Sequence, residues 1–301
     1  MVRTSTKKND KEKKPVISFY TKDKVICPVC NKSFPREEML SGGGRMIAGE
    51  LTDELRRTFE PSAKYGMVYP LIYSVGACPF CHTALLWNDF KTLSEEDADA
   101  IQEDETNRKK AVETIFPHYN LKQNRTLFDG AAMYYLALLT YEKTSSYYSP
   151  TIKKAIIALR LAWLCGDLNK VCPNKNYDYI QQVFYKKSMF FYQQALEYET
   201  GRVESIAGVS NFGPDIDKNY GYDGVVYLCG LLEYKYGQQE NNSLRLKKLD
   251  EYKRAIARIF GLGKSSKSKP GPLLEHSRDL YDKLTKELKD ASDINLESDD
   301  E

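Results

Sequence analysis

Histidine is scarce in this chain, with three residues in 301. His118 follows Pro117 in a loop-like stretch and His276 falls in a charged helical stretch, and neither has a nucleophile partner that the sequence makes evident. Ser/His and Cys/His catalysis both need an imidazole next to a hydroxyl or a thiol. The scarcity therefore argues against nucleophilic catalysis, and we expect a protein that is not an enzyme.

Long apolar runs are also lacking. No stretch approaches the roughly 20 residues that a membrane-spanning helix needs, and the lysine-rich segment Met1 to Pro15 has no apolar core of the kind found in signal peptides. We expect a cytoplasmic protein without a membrane partner, in which Cys165, Cys172 and Cys229 stay reduced. Because Cys165 and Cys229 fall in apolar helical stretches, they are predicted to be buried core thiols.

A phosphate-binding loop is absent as well. Gly261-Leu262-Gly263-Lys264-Ser265 is similar to the end of such a loop, but Arg258 stands where its first glycine is required. The segment also follows a predicted helix rather than a strand, and Pro270 comes after it. The stretch from Lys264 to Lys269, together with Pro270-Gly271-Pro272, is better interpreted as a flexible linker.

Two Cys-Pro-x-Cys pairs are the most informative feature that is present: Cys27-Pro28-Val29-Cys30 and Cys78-Pro79-Phe80-Cys81. A gap of two residues lets both sulfurs of one turn reach the same ion, so two such turns supply the four thiolates of a tetrahedral zinc site. A complete set of four protein ligands leaves no position for substrate. The sequence therefore predicts one structural Zn²⁺ held by Cys27, Cys30, Cys78 and Cys81.

Apolar residues around both pairs predict that each pair, called a knuckle below, lies at the tip of a β-hairpin. The residue after a knuckle often needs a positive φ, and Asn31 and His82, which occupy these positions, are among the few residues other than glycine that tolerate it. His82 also raises the alternative that it, rather than Cys81, is the fourth ligand. A thioredoxin-like redox pair and a disulfide are further alternatives, but neither context is present.

Changes in composition, charge and the spacing of apolar residues divide the chain into four zones. Residues 1–16 are predicted to form a disordered basic arm, residues 17–90 a small zinc-ribbon-like β module containing a strand from Val68 to Val75, residues 91–289 a helical domain, and residues 290–301 an acidic, disordered tail. The chain is therefore expected to be mostly α, with a small β module at its beginning.

Capping residues, prolines and glycines predict where the helices begin and end. Ser94 and Asp97 form a predicted capping box at the start of a charged helix that ends near Pro117, Pro150 opens a later helix, and Gly201 and Gly237 end two more. The full set of predicted helices after the first is 125–143, 150–164, 178–200, 222–236, 244–260 and 273–288.

These helices are predicted to form antiparallel hairpins. The stretch from Tyr227 through Gly230 and on to Ala255 follows the tetratricopeptide pattern, in which a small residue allows two helices to approach closely. We therefore expect tetratricopeptide-like hairpins, with a plain helical bundle as the alternative.

Several motifs together are similar to the bacterial domain-of-unknown-function 2225 family: the two knuckles, Tyr69-Pro70-Leu71-Ile72-Tyr73, Ala158 to Trp163, and Tyr227-Leu228-Cys229-Gly230. The resemblance covers most of the chain. It implies two knuckles separated by a long insert and followed by a tetratricopeptide-like region, with Cys27, Cys30, Cys78 and Cys81 as metal residues. His82 departs from the family, which usually has glycine there. The resemblance implies no activity.

Two hypotheses about function remain. In the first, the helical hairpins are a cytosolic scaffold or adaptor that binds a protein partner, for which the 22 tyrosines supply contact surface. In the alternative, the zinc module and the basic arm bind nucleic acid, although the net charge of +2 is too small to indicate such a partner by itself. The scaffold is the favoured hypothesis.

Overall fold

The computed structural model describes residues 15–238, 242–261 and 269–298. Short strands come first and helices follow. The strands are β1 (Ser18–Ile26), β2 (Ser33–Met39), β3 (Ile47–Leu51), β4 (Arg57–Glu60), β5 (Val75–Ala77) and β6 (Ala84–Leu86). The α-helices are α1 (Glu95–Glu103), α2 (Glu105–Ile115), α3 (Leu127–Tyr141), α4 (Pro150–Val171), α5 (Tyr177–Thr200), α6 (Gly221–Tyr236), α7 (Asn242–Phe260) and α8 (Gly271–Ser298).

The strands pair as three antiparallel hairpins: β1 with β2, β3 with β4, and β5 with β6. In the first hairpin Ile26 lies opposite Ser33, and in the third Ala77 lies opposite Ala84, so each predicted knuckle occupies the turn of a hairpin. The stretch from Val68 to Val75 was wrongly predicted as a strand. A turn of 3-10 helix, Pro70–Tyr73, replaces most of it, because Pro70 fixes its own φ and cannot donate to a β-ladder.

The helices pack in chain order, from α3 against α4 to α7 against α8. This arrangement, with the small β hairpins before it, confirms the predicted mostly α fold with antiparallel helical hairpins. Gly230 on α6 is the predicted point of close approach, since a Cβ added there would lie 2.7 Å from Ile256 Cδ1 of α7. No helix within the described residues is long and apolar enough to cross a membrane.

The predicted caps are present. The Asp97 amide donates to Ser94 Oγ at 3.2 Å, Pro150 is the first residue of α4, and Gly201 and Gly237 follow the last residues of α5 and α6. Side chains and backbone rules that act within a few residues therefore set most helix ends.

The single charged helix predicted from Ser94 to near Pro117 is wrong, because the structure has two helices that meet at Asp104. Asp104 ends α1 and begins α2 with a φ of −84° and a ψ of 1°. The carbonyl of Ile101, near the end of α1, accepts from the Arg108 guanidinium at 2.9 Å. The bend thus turns Arg108 toward the interior.

The chain's last helix is longer than predicted. It runs to Ser298, so residues 290–298 of the predicted disordered tail are helical, continuing the periodic pattern beyond Leu288. The basic arm lies outside the described residues except for its last two, and residues 264–268 of the predicted linker lie outside them as well. Gly271 and Pro272, predicted as the end of that linker, are instead the first two residues of α8.

The hydrophobic core crosses the predicted boundary at residue 90. Buried residues of the hairpins, such as Phe34 and Leu85, belong to the same cluster as Leu136 of α3 and Leu159 of α4. Helix α3 is buried on nearly every side and packs against both the β5–β6 hairpin and α4. The hairpins that carry the cysteines therefore share one hydrophobic core with the helices.

Candidate metal centre

The two knuckles have the same backbone geometry. The amide of Cys27 donates to Lys32 O at 3.0 Å, and the amide of Cys78 donates to Thr83 O at 2.8 Å. Asn31 and His82 both have positive φ, 57° and 58°, as predicted. Each turn therefore presents its two sulfurs on one side, because the same hydrogen bonds close it.

The fold brings the four cysteines together although 48 residues separate Cys30 from Cys78. The Sγ atoms of Cys27 and Cys81 are 3.6 Å apart, as are those of Cys30 and Cys78, and all four sulfurs lie within 4.8 Å of one another. Both of the 3.6 Å contacts join one knuckle to the other. A redox CxxC pair instead brings its own two sulfurs together, so the arrangement is that of a shared site.

The donor set fits a single soft cation. Four thiolates around a zinc ion, with Zn–S near 2.3 Å, form a tetrahedron whose edges are about 3.8 Å. The sulfur separations observed here, from 3.6 Å up to at most 4.8 Å, surround a space of that size. Three of the cysteines are buried and Cys30 is half-buried, which shields such an ion from water. The cluster is compatible with a metal site, and its ligand role stays a prediction.

Hydrogen bonds among the sulfurs shift the pKa values of the cysteine thiols. Hydrogen bonds to the Cys27 and Cys81 sulfurs, together with burial, raise the pKa of Cys78 well above its ordinary value. Hydrogen bonds from Cys27 and Cys78 lower the pKa of Cys81, as does one from Thr83. Each sulfur therefore sets the proton affinity of its neighbours, and a divalent cation is the natural partner of four such thiols.

His82 is not among the clustered groups. Its Nδ1 and the hydroxyl of Tyr119 form a hydrogen bond of 2.5 Å, and the two rings pack edge to face. Burial, followed by the charge of Lys109, lowers the pKa of His82 to about 4. Of its two predicted roles, the geometry favours the turn residue, which here also ties the knuckle to the loop after α2.

Arg108 supports the second knuckle, and the sequence did not reveal this role. Its side chain is fully buried behind the second knuckle, where it donates to Cys81 O at 3.1 Å and to His82 O at 3.2 Å. Burial lowers its pKa, and Asp104 at 3.7 Å is its ion-pair partner. The available signal was its position four residues before Val112, on the apolar face of a helix that is otherwise charged.

The first knuckle is held by a different pair. Glu37 of β2 is buried, and its Oε2 accepts from the Arg125 amide at 3.1 Å and lies 3.5 Å from Arg125 Nε. Arg125 also donates to the carbonyls of Ile72 and Val75 at 2.7 and 2.6 Å. This buried pair fastens the β1–β2 hairpin to the start of α3.

The other cysteines are separate from the cluster. Cys165 and Cys229 are fully buried in α4 and α6, as predicted, and burial raises the pKa of Cys165 to about 12. Cys172 is exposed at the end of α4. Chemistry at sulfur is therefore concentrated at the two knuckles.

Comparison with known proteins agrees with the resemblance seen in the sequence. The family described as an uncharacterized protein conserved in bacteria, DUF2225, matches residues 20–284. An uncharacterized protein from Borreliella burgdorferi is 44% identical over 274 residues, which are 91% of this chain and 98% of that relative. No solved structure matches the chain. With both knuckles and nearly all of the helices inside the matched region, the chain belongs to the bacterial DUF2225 family.

Proposed function

We propose that this protein is a cytoplasmic, non-catalytic adaptor, in which one structural zinc ion secures the hairpins and the helices bind a protein partner. Zinc is the metal that four thiolates in two CxxC turns favour, and a set of four protein ligands leaves no site for a substrate. The metal's role is then to stabilise the platform, and the adaptor's contacts come from elsewhere.

An exposed aromatic face on α5 carries the partner-binding proposal. Tyr179 is 70% exposed and Phe190 is 55% exposed, three turns apart on the same helix. With Val183 and Phe191 they line a shallow groove of about 510 Å³. Large aromatic side chains that share one open surface are characteristic of protein interfaces, where they supply most of the contact area.

Lysines border this face. Lys186 and Lys187 line the same groove, and Lys154 Nζ lies 4.6 Å from the centre of the Phe191 ring. A partner surface with apolar side chains and a surrounding set of carboxylates would complement both the rings and the charges. We therefore infer an acidic, apolar protein surface as the partner of α5.

The test is an affinity purification from native lysate with the full chain, with and without nuclease and raised salt. The variant Tyr179→Ala/Phe190→Ala removes the two exposed rings, and Tyr147→Ala is the matched control because Tyr147 is 81% exposed on another element. We expect a protein that resists nuclease, binds wild type and Tyr147→Ala equally, and binds the double variant about 30-fold more weakly, the loss typical of interface hot spots.

Two results would contradict the proposal. Equal retention by the double variant would show that the α5 face is not the binding surface. Loss of all binding on nuclease treatment would favour the alternative of nucleic-acid binding.

A further inference from the structure

The tip of the β3–β4 hairpin lies in a groove formed by α4, α5 and α6. We call residues Asp53-Glu54-Leu55-Arg56 the acidic turn. Leu55 is fully buried and Glu54 is 7% exposed. The turn is closed by Thr52, whose amide donates to Arg56 O at 2.9 Å and whose carbonyl accepts from the Leu55 amide at 2.9 Å. A short, self-closed segment thus enters the helices tip first.

Three helices each contribute one donor to the Glu54 carboxylate. Trp163 Nε1 of α4 donates at 2.5 Å and Tyr185 Oη of α5 donates at 2.8 Å, both to Oε2. Lys235 Nζ of α6 donates to Oε1 at 3.1 Å. Buried donors need partners, so this arrangement requires a carboxylate or an equivalent acceptor at that point.

The groove also recognises Asp53. Lys235 Nζ donates to its carboxylate at 2.8 Å, and Tyr227 Oη donates to its carbonyl oxygen at 2.7 Å. Burial by itself lowers the pKa of Lys235, but the carboxylates of Glu54 and Asp53 outweigh burial and raise it. Lys235 is therefore a charged ligand shared by two acidic residues.

The two residues that follow have their own positions. Leu55 adopts a positive φ of 59°, a conformation that leucine rarely takes, and its buried side chain holds it there. Arg56 lies over the Trp163 ring, 5.5 Å from its centre, and forms an ion pair with Asp167. The groove thus selects a pattern of two acids, an apolar residue and a base.

The stem of the hairpin is less buried than its tip, and Arg57 of β4 supplies fixed contacts, with its amide donating to Asp215 Oδ2 at 2.8 Å and its Nε 3.6 Å from Asp217 Oδ2. No residue of β3 or β4 is buried, and a cavity of about 380 Å³ separates Phe59 and Arg57 from Leu164 and Val171 of α4. Before the stem, Gly42-Gly43-Gly44 all have positive φ. The β3–β4 hairpin therefore follows a run of three glycines, and its tip binds in the groove through side-chain contacts of the kind that hold a ligand.

We propose that this groove is a recognition site for acidic turns, occupied in this conformation by the chain's own acidic turn, and that a partner protein presenting such a turn takes its place when the hairpin lifts. The complementarity commits the site to this occupant: one lysine and two neutral donors face two carboxylates, Tyr227 donates to the Asp53 carbonyl oxygen, and a pocket fits the apolar residue. The site is separate from the exposed face of α5, so it stands or fails independently of the adaptor proposal.

The probe is a fluorescein-labelled cyclic peptide carrying residues 47–60, titrated against the full chain. In the variant Glu54→Lys the tethered tip is repelled by Lys235 and vacates the groove. A tethered competitor acts at an effective concentration in the millimolar range, so we expect the peptide to bind the variant about 100-fold more tightly than wild type. The control Glu50→Lys changes the same charge on an exposed residue of β3 and is expected to behave as wild type.

A second measurement covers the case in which Glu54→Lys does not fold. Trypsin cleavage of the wild-type chain after Arg56 and Arg57 is expected to accelerate at least about tenfold with saturating peptide, because displacement exposes the tip. A peptide carrying lysine in place of Glu54 is expected to leave cleavage unchanged, and Lys235→Met is expected to abolish the acceleration.

Three results would overturn the proposal. The first is unchanged cleavage at every peptide concentration together with no binding to Glu54→Lys. The second is equal binding of the peptide to wild type, Glu50→Lys and Glu54→Lys. The third is dimerisation of the wild-type chain that Glu54→Lys abolishes, which would make a second copy's hairpin the occupant instead of a partner.

Discussion

The two knuckles share one turn geometry and differ in what surrounds them. The second knuckle leads into β6, where Ala84 N donates to Thr140 Oγ1 at 3.3 Å and Leu86 N to Tyr141 Oη at 3.0 Å, both on α3. Arg108 holds its carbonyls from α2. The first knuckle lies at the end of β1, a strand whose residues are mostly exposed, and Ile26 just before it is 64% exposed.

This difference indicates that the two halves of the site are supported in different ways. The helices preform the second knuckle, whereas the first hairpin is docked through the buried side chains of Phe34 and Glu37 and through the sulfurs themselves. A metal at the cluster would therefore act mainly as the clamp that holds the first hairpin onto the helical body, since the second half of the site has other supports.

Removal of the metal tests this comparison with the largest expected effect. Cys78→Ser should abolish metal binding and remove a stabilisation on the order of 10 kcal/mol from the docked hairpin. In hydrogen-exchange mass spectrometry we expect residues 18–39 to lose protection, while α4 (150–171) keeps it because its core contacts are with other helices.

Cys172→Ser is the matched control, since Cys172 is exposed and distant in sequence from the knuckles. Unchanged protection of residues 18–39 from hydrogen exchange in Cys78→Ser, or an equal loss of protection in α4, would contradict the claim that the metal holds the first hairpin onto the helices.

Arg108→Met breaks the support of the second knuckle alone. The carbonyls of Ile101, Cys81 and His82 would lose their buried donor, and Asp104 would keep only its ion pair with Lys143. We expect a loss of about 3 kcal/mol in the free energy of unfolding and a fall of about 10- to 100-fold in metal affinity, measured by competition with a chromogenic chelator.

Lys110→Met serves as control because Lys110 is exposed on the same helix, and we expect a change within about 0.5 kcal/mol. Equal effects of the two variants on metal affinity would mean that Arg108 does not position the knuckle.

Glu37→Gln weakens the dock of the first knuckle. It leaves the Arg125 guanidinium, 5% exposed, without its carboxylate, and we expect a cost of about 2 kcal/mol. Exchange should rise in residues 18–39 and stay unchanged in residues 75–86. Glu38→Gln is the control, since the Glu38 side chain is 38% exposed; a uniform rise over both knuckles would remove the distinction between them.

Thr83→Val gives the smallest expected effect. In the wild-type chain the Thr83 Oγ1 lies 3.1 Å from Cys81 Sγ. Lys32 is the corresponding residue after the first knuckle, and its Nζ lies over the Phe80 ring instead. Loss of this hydrogen bond should cost about 1 kcal/mol and lower metal affinity about fivefold. Lys32→Met should leave the affinity unchanged, and a larger loss there than in Thr83→Val would reverse the assignment of the stronger support.

Local chemistry made much of this structure predictable. The spacing of Cys27, Cys30, Cys78 and Cys81, the positive φ of Asn31 and His82, and the cap at Ser94 each depend on a few neighbouring residues, and the structure shows them as expected. The two Cys-Pro-x-Cys pairs also predicted that the four sulfurs lie together, because each pair supplies only two of the four thiolates that one metal ion needs.

What the sequence did not reveal depends on tertiary contacts. Arg108 and Glu54 belong to charged stretches that predict solvent exposure, and both are buried because distant helices or turns supply their partners. The break at Asp104 is of the same kind, since the helical periodicity continues through it while the buried guanidinium accounts for the bend.

The most direct test of the account is the metal content of the chain purified without added metal, measured by native mass spectrometry. The account predicts one zinc ion per chain in wild type and none in Cys78→Ser, with Cys27, Cys30 and Cys81 becoming reactive to alkylation in the variant. A wild-type chain that is free of metal, with all four cysteines alkylated under native conditions, would contradict it.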